Sequence, residues 1–291
     1  MIAASPIVAA VDYSSLEHLA RSVRTDGKWR ESVFVMFTPY FDSSHTSGGK
    51  GVWVVSGWLS TVEKWERFTV DWKLVLAKFN VPYLHMKEFA HSTGAFADGW
   101  KGENNKRELF IRTLISVIKD HAIAGFSSMI ENSVFEEVDK EYEVRENFGN
   151  EFALCGRTCA AKANLWLRDN GYDRPAEYVF EAGDERGRLT HLFESQGYPP
   201  PIFRPSHDRI ANDGVLIRGL VPLQAADLMA YELRKAWDTL GDVDGNEIWK
   251  YRKSFLGIGM VAQRRGDCGN YTANDLRDTC KNASIPKRNA V

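Results

Sequence analysis

The sequence predicts an α/β protein: a mixed β-sheet flanked by helices, in a single domain. Three observations predict it. Strand-like runs come first, and helical runs are then interspersed among later strands. No internal repeat and no change of composition marks a linker. The 291 residues are 44% hydrophobic and include 9 Trp and 16 Phe, enough core for one large domain or two small ones. Residues 1–31 read as an N-terminal appendage with a short helix at 14–24. Residues 32–240 read as the domain, and 241–291 as a C-terminal extension packing on it.

The elements follow in order. Ser32 to Phe41 is rich in β-branched and aromatic residues and reads as a strand. Pro39 is tolerable there only near a strand end or edge. Asp42 follows that strand, and a Gly-rich loop, Ser47 to Gly51, leads into a second strand, Val52 to Leu59, paired with the first as a hairpin. Thr61 caps a helix in which Val62, Trp65, Phe68, Trp72, Val75 and Phe79 keep helical spacing, and Asn80-Val-Pro82 stops it. Tyr83 to Phe89 is a short segment with His85 and Glu88 three apart. A polar loop at 91–105 precedes an amphipathic helix carrying Phe110, Leu114, Val117, Ile118 and His121, and Ala122 to Ile130 reads as the third strand. Residues 133–147 are charged and read as a short exposed helix. Gly149 to Arg168 reads as a helix burying Phe152, Cys155, Cys159, Ala163 and Trp166. Ala176 to Glu181 is a strand ending on an acid; a turn through Asp184 and a helix from Arg186 to Gln196 follow. Pro200 to Pro205 and Gly214 to Leu220 are strand-like. Beyond Gly241 the pattern is mixed, and Lys281 to Val291 read as frayed.

Net charge is −2, so any nucleic-acid contact must come from a local patch. Cys155, Cys159, Cys268 and Cys280 contain no C-x-x-C pair and read as reduced thiols of a cytoplasmic protein. Cys155 and Cys159, four apart on a helix, could be half a metal site, but no His follows at zinc-finger spacing, and buried small hydrophobes fit better. The apolar opening, Met1 to Val11, lacks a basic region and is too short to span a bilayer, so neither a signal peptide nor a membrane anchor is expected.

The segment Val221 to Tyr231 reads as the start of a buried helix, with Pro222 at its first position. Leu223, Ala226, Ala230, Leu233 and Trp237 recur as a core-facing stripe. At about 100° per residue, Asp227 lies about 40° from Leu223, at the stripe's edge, flanked by Gln224 and Tyr231. An acid there needs a partner: a cation, a hydrogen-bond donor or a metal. The plain alternative is a capped or salt-bridged carboxylate. Asp42 and Glu181 also end apolar strands, where the loops of an α/β sheet converge to make sites. Three carboxylates brought together repel unless a cation intervenes, and oxygen ligands favour Mg²⁺ or Mn²⁺. Such a cluster suits two-metal phosphodiester hydrolysis, with ions about 3.5–4 Å apart. Any chain with 39 acids offers many such triples, however.

The order Asp42, then Leu84-His85-Met86-Lys87-Glu88-Phe89, then Tyr178-Val-Phe-Glu181, then Pro222-Leu-Gln-Ala-Ala-Asp-Leu-Met-Ala-Tyr231 resembles the domain-of-unknown-function family 3800 (DUF3800). The likeness runs from about Phe34 to Trp237, and the Pro222 run is its most specific part. It implies a ribonuclease-H-like fold and metal-dependent cleavage of nucleic acid, an inference from fold kinship. It also implies that Asp42 matches the first acid of the family's D-E-S-G, Glu181 the strand-end acid and Asp227 the helix acid. The second position of D-E-S-G is Ser43 here and the fourth is His45, so the carboxylate expected beside Asp42 is missing. Glu88 and Asp184 are the candidates to supply it.

The other candidates each have a plain alternative. His85 could position the attacking water or contact a phosphate, or be a satisfied core histidine. Glu88 is a metal ligand or an acid at a helix start. Gln224 hydrogen-bonds the backbone near the site or is merely a first-turn residue. Asp184 ligates or, with Glu185, caps the next helix. Arg204, His207, Arg209 and Arg218 could hold a phosphate backbone or form a salt-bridged face. Trp100 could stack on a base or pack in the core. The expected function is therefore Mg²⁺- or Mn²⁺-dependent phosphodiester hydrolysis of DNA or RNA. Asp42, Glu181, Asp227 and His85 would be catalytic and Glu88 an added ligand. The rivals are a non-catalytic binding or accessory protein on the same fold and an enzyme acting on another phosphate ester. The sequence is silent on DNA versus RNA and on oligomeric state.

Overall fold

A computed structural model describes residues 36–46, 51–172, 176–183, 186–240, 252–262 and 266–288. The expected appendage at 1–31, most of the Gly-rich loop and Asp184 lie outside the described residues.

The fold is α/β, a six-stranded mixed sheet with helices on both faces. Three antiparallel strands form its centre: β1 (Phe37–His45), β2 (Val52–Thr61) and β3 (Ala124–Glu131). Beyond β1 lie β4 (Val179–Glu181) and then β5 (Ile202–Arg204), both parallel to it. A separate exposed hairpin, β6 (Arg209–Ile210) and β7 (Leu216–Ile217), follows. The strand β8 (Asp267–Tyr271) closes the far edge, parallel to β3, in a region where the sequence showed only mixed pattern. The order is β5-β4-β1-β2-β3-β8. β1 continues through Asp42, so that acid lies within the strand rather than after it. Pro39 is accommodated because β4 joins β1 only from Tyr40 onward, leaving Pro39 paired on one side. Gly57 of β2 is required by close approach: a Cβ there would run into the Tyr40 carbonyl oxygen.

One face of the sheet is covered by α1 (Val62–Lys78), α2 (Met86–His91) and α3 (Asn104–His121). The other carries α4 (Asn132–Asp139), α5 (Val144–Phe148), α6 (Glu151–Asp169) and α7 (Arg186–Ser195). The first face also takes α8 (Pro222–Leu240) and α9 (Lys253–Ala262), and the second takes α10 (Ala273–Asn282). Thr61 caps α1 as its position predicts, accepting from the Lys64 N–H at 3.2 Å. The indole N–H groups of three fully buried tryptophans find acceptors: Trp58 on Ala225 O, Trp65 on Thr38 O and Trp72 on Gln224 Oε1. The helix α8 is buried almost all round in its first three turns rather than along one stripe, because it lies on β1 and β2 beneath α1. Leu233 and Trp237, placed on the stripe by periodicity, are only half-buried.

Two expectations are corrected, and an open choice at Trp100 is decided in favour of core packing. Residues 133–147 form two helices, and their Phe135, Val138 and Val144 are fully buried; the charges conceal a regular apolar face. The C-terminal stretch is tied down as far as Arg288, which bonds Asp139 and Glu146. Trp100 is 2% exposed and packs edge-on against Phe96 and Phe110, so it cannot stack on a base. Of the thiols, Cys155, Cys159 and Cys280 are buried, and the Cys159 thiol donates to Val55 O at 3.2 Å, in keeping with small core residues.

Candidate functional site

Alternation along the strands brings two of the acids together. In β1, Tyr40 belongs to the core on the α8 face and Phe41 to the core on the other, so Asp42 turns back towards α8. In β4, Val179 and Phe180 divide the same way, and Glu181 follows Val179 to the α8 face. The parallel register pairs Tyr40 with Val179 and Phe41 with Phe180, so the next step along both strands sets Asp42 beside Glu181. Asp227 comes down on them from α8. All three keep some exposed surface, so the site is recessed rather than sealed.

Each acid spends an oxygen on a protein donor. Asp42 Oδ1 accepts from the Ser43 N–H at 2.7 Å, and Asp227 Oδ2 accepts from the Met86 N–H at 2.6 Å. Glu181 Oε1 accepts from Ser206 Oγ and Arg209 Nη2, both at 3.3 Å, while its Oε2 is buried with no hydrogen-bond partner. Burial, then the charges of Asp227 and Glu181, push the Asp42 carboxyl well above the ordinary range, against the opposing Ser43 N–H. Burial likewise raises Glu181 to about 7, with Asp227 adding and the Ser206 N–H and Arg209 opposing. Asp227 is raised to about 6, chiefly by burial, with the Met86 N–H and His85 opposing and Glu88 adding. Raised together, the three carboxyls hold protons towards neutral pH that ordinary carboxyls would have lost.

The neighbouring wall comes from the segment before and within α2. Gln224, 2% exposed, holds that wall in place. Its Oε1 accepts from Leu84 N–H and Trp72 Nε1–H, both at 2.9 Å, and its Nε2 donates to Ser206 O at 2.9 Å. One side chain therefore fixes α1, the His85 segment and the chain after β5 to one another. His85 Nδ1 lies 3.4 Å from Glu88 Oε1. Glu88 Oε2 accepts from the Ala95 N–H at 3.0 Å and from the Tyr83 hydroxyl at 3.1 Å. Burial works against the Glu88 charge, but the Ala95 N–H, His85 and Tyr83 together hold its carboxyl below the usual range. Gly94, at φ +52°, makes this cradle: a Cβ there would collide with the Glu88 carboxylate. Tyr83 stacks on His207 with ring centroids 4.1 Å apart.

Two of the four basic candidates are in ion pairs: Arg209 with Glu181 and Arg218 with Asp208. Sequence reasoning did not single out Ser206 and Tyr83. Ser206 could have been found by its place just past the end of β5, where sites of parallel strands collect.

The donor chemistry of the trio suits a hard cation, and the buried Glu181 Oε2 has no hydrogen-bond partner within the protein. Yet among the described residues no set of three or more His, Cys, Asp or Glu is arranged to hold a metal ion as it stands. The carboxylates are neighbours whose oxygens are turned to separate donors, and ligation would require them to rotate. Among the described residues no helix is long and apolar enough to cross a membrane. Comparison of the chain with protein-family models, with curated proteins and with solved structures finds no match.

Proposed function

We propose that the chain is a ribonuclease-H-like, Mg²⁺- or Mn²⁺-dependent phosphodiester hydrolase acting on nucleic acid, with the likeness to DUF3800 reflecting common ancestry. The observation that carries this reading is the meeting of Asp42, Glu181 and Asp227 on one sheet face, each carboxyl raised chiefly by burial. The sheet supports it as well: an antiparallel trio extended by parallel strands on the side of the first is what a ribonuclease-H-like core requires.

In this reading the three acids hold the cation, and Glu88 stays in its cradle unless it swings out from Tyr83. A bound divalent ion would supply an acidified water and a charge to stabilise the leaving oxygen. His85, on the Asp227 side and part-exposed, would orient water or receive a proton. Arg209 would be released from Glu181 for the phosphate.

The test is cleavage of single-stranded, duplex and hybrid oligonucleotides in Mn²⁺ by wild type and Asp227→Asn. A loss of about a hundredfold or more is expected in the variant; equal rates would remove the assigned role. A second reading, a non-catalytic binding protein on the same fold, is favoured by Ser43 at the position where an acid is expected. Calorimetric titration with Mn²⁺ separates the two, because the binding protein would take up no ion at these acids.

A further inference from the structure

Away from the acids, a cleft of about 950 Å³ runs between α3 and α9. Small-molecule sites span roughly 300–1,000 Å³, so this one is at the large end. Its walls are apolar at helical spacing: Ile111 and Ile115 on α3, Leu256 and Met260 on α9. Six Lys and Arg side chains line it against two acids, Glu108 and Asp120, and Glu108 is engaged by Lys253 at 3.0 Å.

The charge is unevenly placed. At the end closed by Phe89, the Arg107 guanidinium lies 4.0 Å over that ring. It donates to Phe89 O at 2.6 Å and to Ser92 Oγ at 3.2 Å. Both acceptors are neutral, and among the described residues no carboxylate stands within ion-pair distance of Arg107. Arg252 is close enough to act on it electrostatically. Arg252 uses one nitrogen on the buried Glu232, at 3.1 Å, and a guanidinium has five N–H donors. Two cations therefore face one end of an apolar cleft with donors to spare.

We propose that this cleft binds a small amphipathic anion: its carboxylate or phosphate head on Arg107 and Arg252, its apolar body along Ile111, Ile115, Leu256 and Met260. A single head group fits this arrangement better than an acidic helix, which would need its charges spread along both rims. The site is separate from the acids. The helix α2 stands between them, with Phe89 facing the cleft and Glu88 facing Tyr83 and His85.

The experiment is calorimetric titration of the full chain with decyl phosphate and decanoate, and with decanol and inorganic phosphate as controls. The two amphipathic anions are expected to saturate one site, with both controls about tenfold weaker or more. Whichever anion binds tighter identifies the natural head group. Arg107→Gln is expected to weaken the anions about tenfold and leave decanol unchanged. Met260→Trp alters a residue that is 66% exposed, so folding is safe, and it should weaken both anions by filling the apolar wall. Non-saturating uptake, equal affinity for decanol, or anion binding that survives both substitutions would overturn the assignment. So would binding of an acidic amphipathic peptide where decyl phosphate fails.

Discussion

Replacing Asp227 by Asn should have opposite effects on stability with and without a divalent ion. Asn keeps an oxygen for the Met86 N–H but removes the charge. Raising the Asp227 carboxyl from 3.8 to about 6 corresponds to about 3 kcal/mol. The sign follows from proton binding. In this window the folded chain holds a proton that the unfolded chain has lost. Stability from this group is therefore full below about pH 4 and falls as pH rises through about 6. In EDTA at pH 7.5 the variant should be more stable than wild type by up to about 3 kcal/mol, an upper bound because water and side-chain rotation relieve part of the strain. For a chain of this size that is on the order of 6 °C in melting temperature. At pH 4.5, where the folded carboxyl is protonated but the unfolded one is mostly ionised, the difference should shrink to about 1 kcal/mol. Added Mn²⁺ should reverse the order at pH 7.5, stabilising wild type by about 4.1 kcal/mol at a thousand times its Kd and the variant by much less. Thermal and urea denaturation at both pH values, with EDTA or Mn²⁺, measure all four arms. Equal stability of the two proteins in EDTA at pH 7.5 would refute the cost of burying the Asp227 charge, and an equal Mn²⁺ response would refute shared ligation.

Other outcomes follow from the same contacts. Gln224→Leu orphans Leu84 N–H, Trp72 Nε1–H and Ser206 O together, and urea denaturation should show a loss of about 3 kcal/mol or more. Gly94→Ala forces a side chain into positive φ and against the Glu88 carboxylate; a loss of about 1–3 kcal/mol is expected, and wild-type stability would remove the cradle. Glu181→Gln should lower the Asp42 pKa by removing a nearby negative charge, observable by carboxyl NMR titration. Its Mn²⁺ affinity should fall about tenfold or more in calorimetry, and an unchanged Kd would exclude Glu181 as a ligand.

Short-range order was legible before any coordinates. Thr61 with Trp65, Phe68, Trp72 and Val75 marks α1, because a cap and a 3.6-residue repeat are local signals. The same holds for the helix burying Phe152, Cys155, Cys159 and Ala163, and for the acid-ended strand at Glu181. The elements misread or left open are those whose burial is set by distant partners. β8 shows little alternation of its own and is ordered by the exposed edge of β3. Trp100 sits in a polar loop and is drawn inward by the aromatic rings around it. The charged stretch at 133–147 hides an apolar face that only α10 and the sheet reveal.

The candidate site divides in the same way. The sequence alone determined which acids end apolar strands or edge a buried helix, since period and chemistry are written residue by residue. Only the tertiary structure decided that Asp42 and Glu181 share a sheet face and meet Asp227, that Glu88 is held by the Gly94 turn, and that Gln224 fastens the wall. Periodicity states which side of an element turns inward. It does not state which other element lies there, and that choice is made by burial and hydrogen bonding summed over the whole chain.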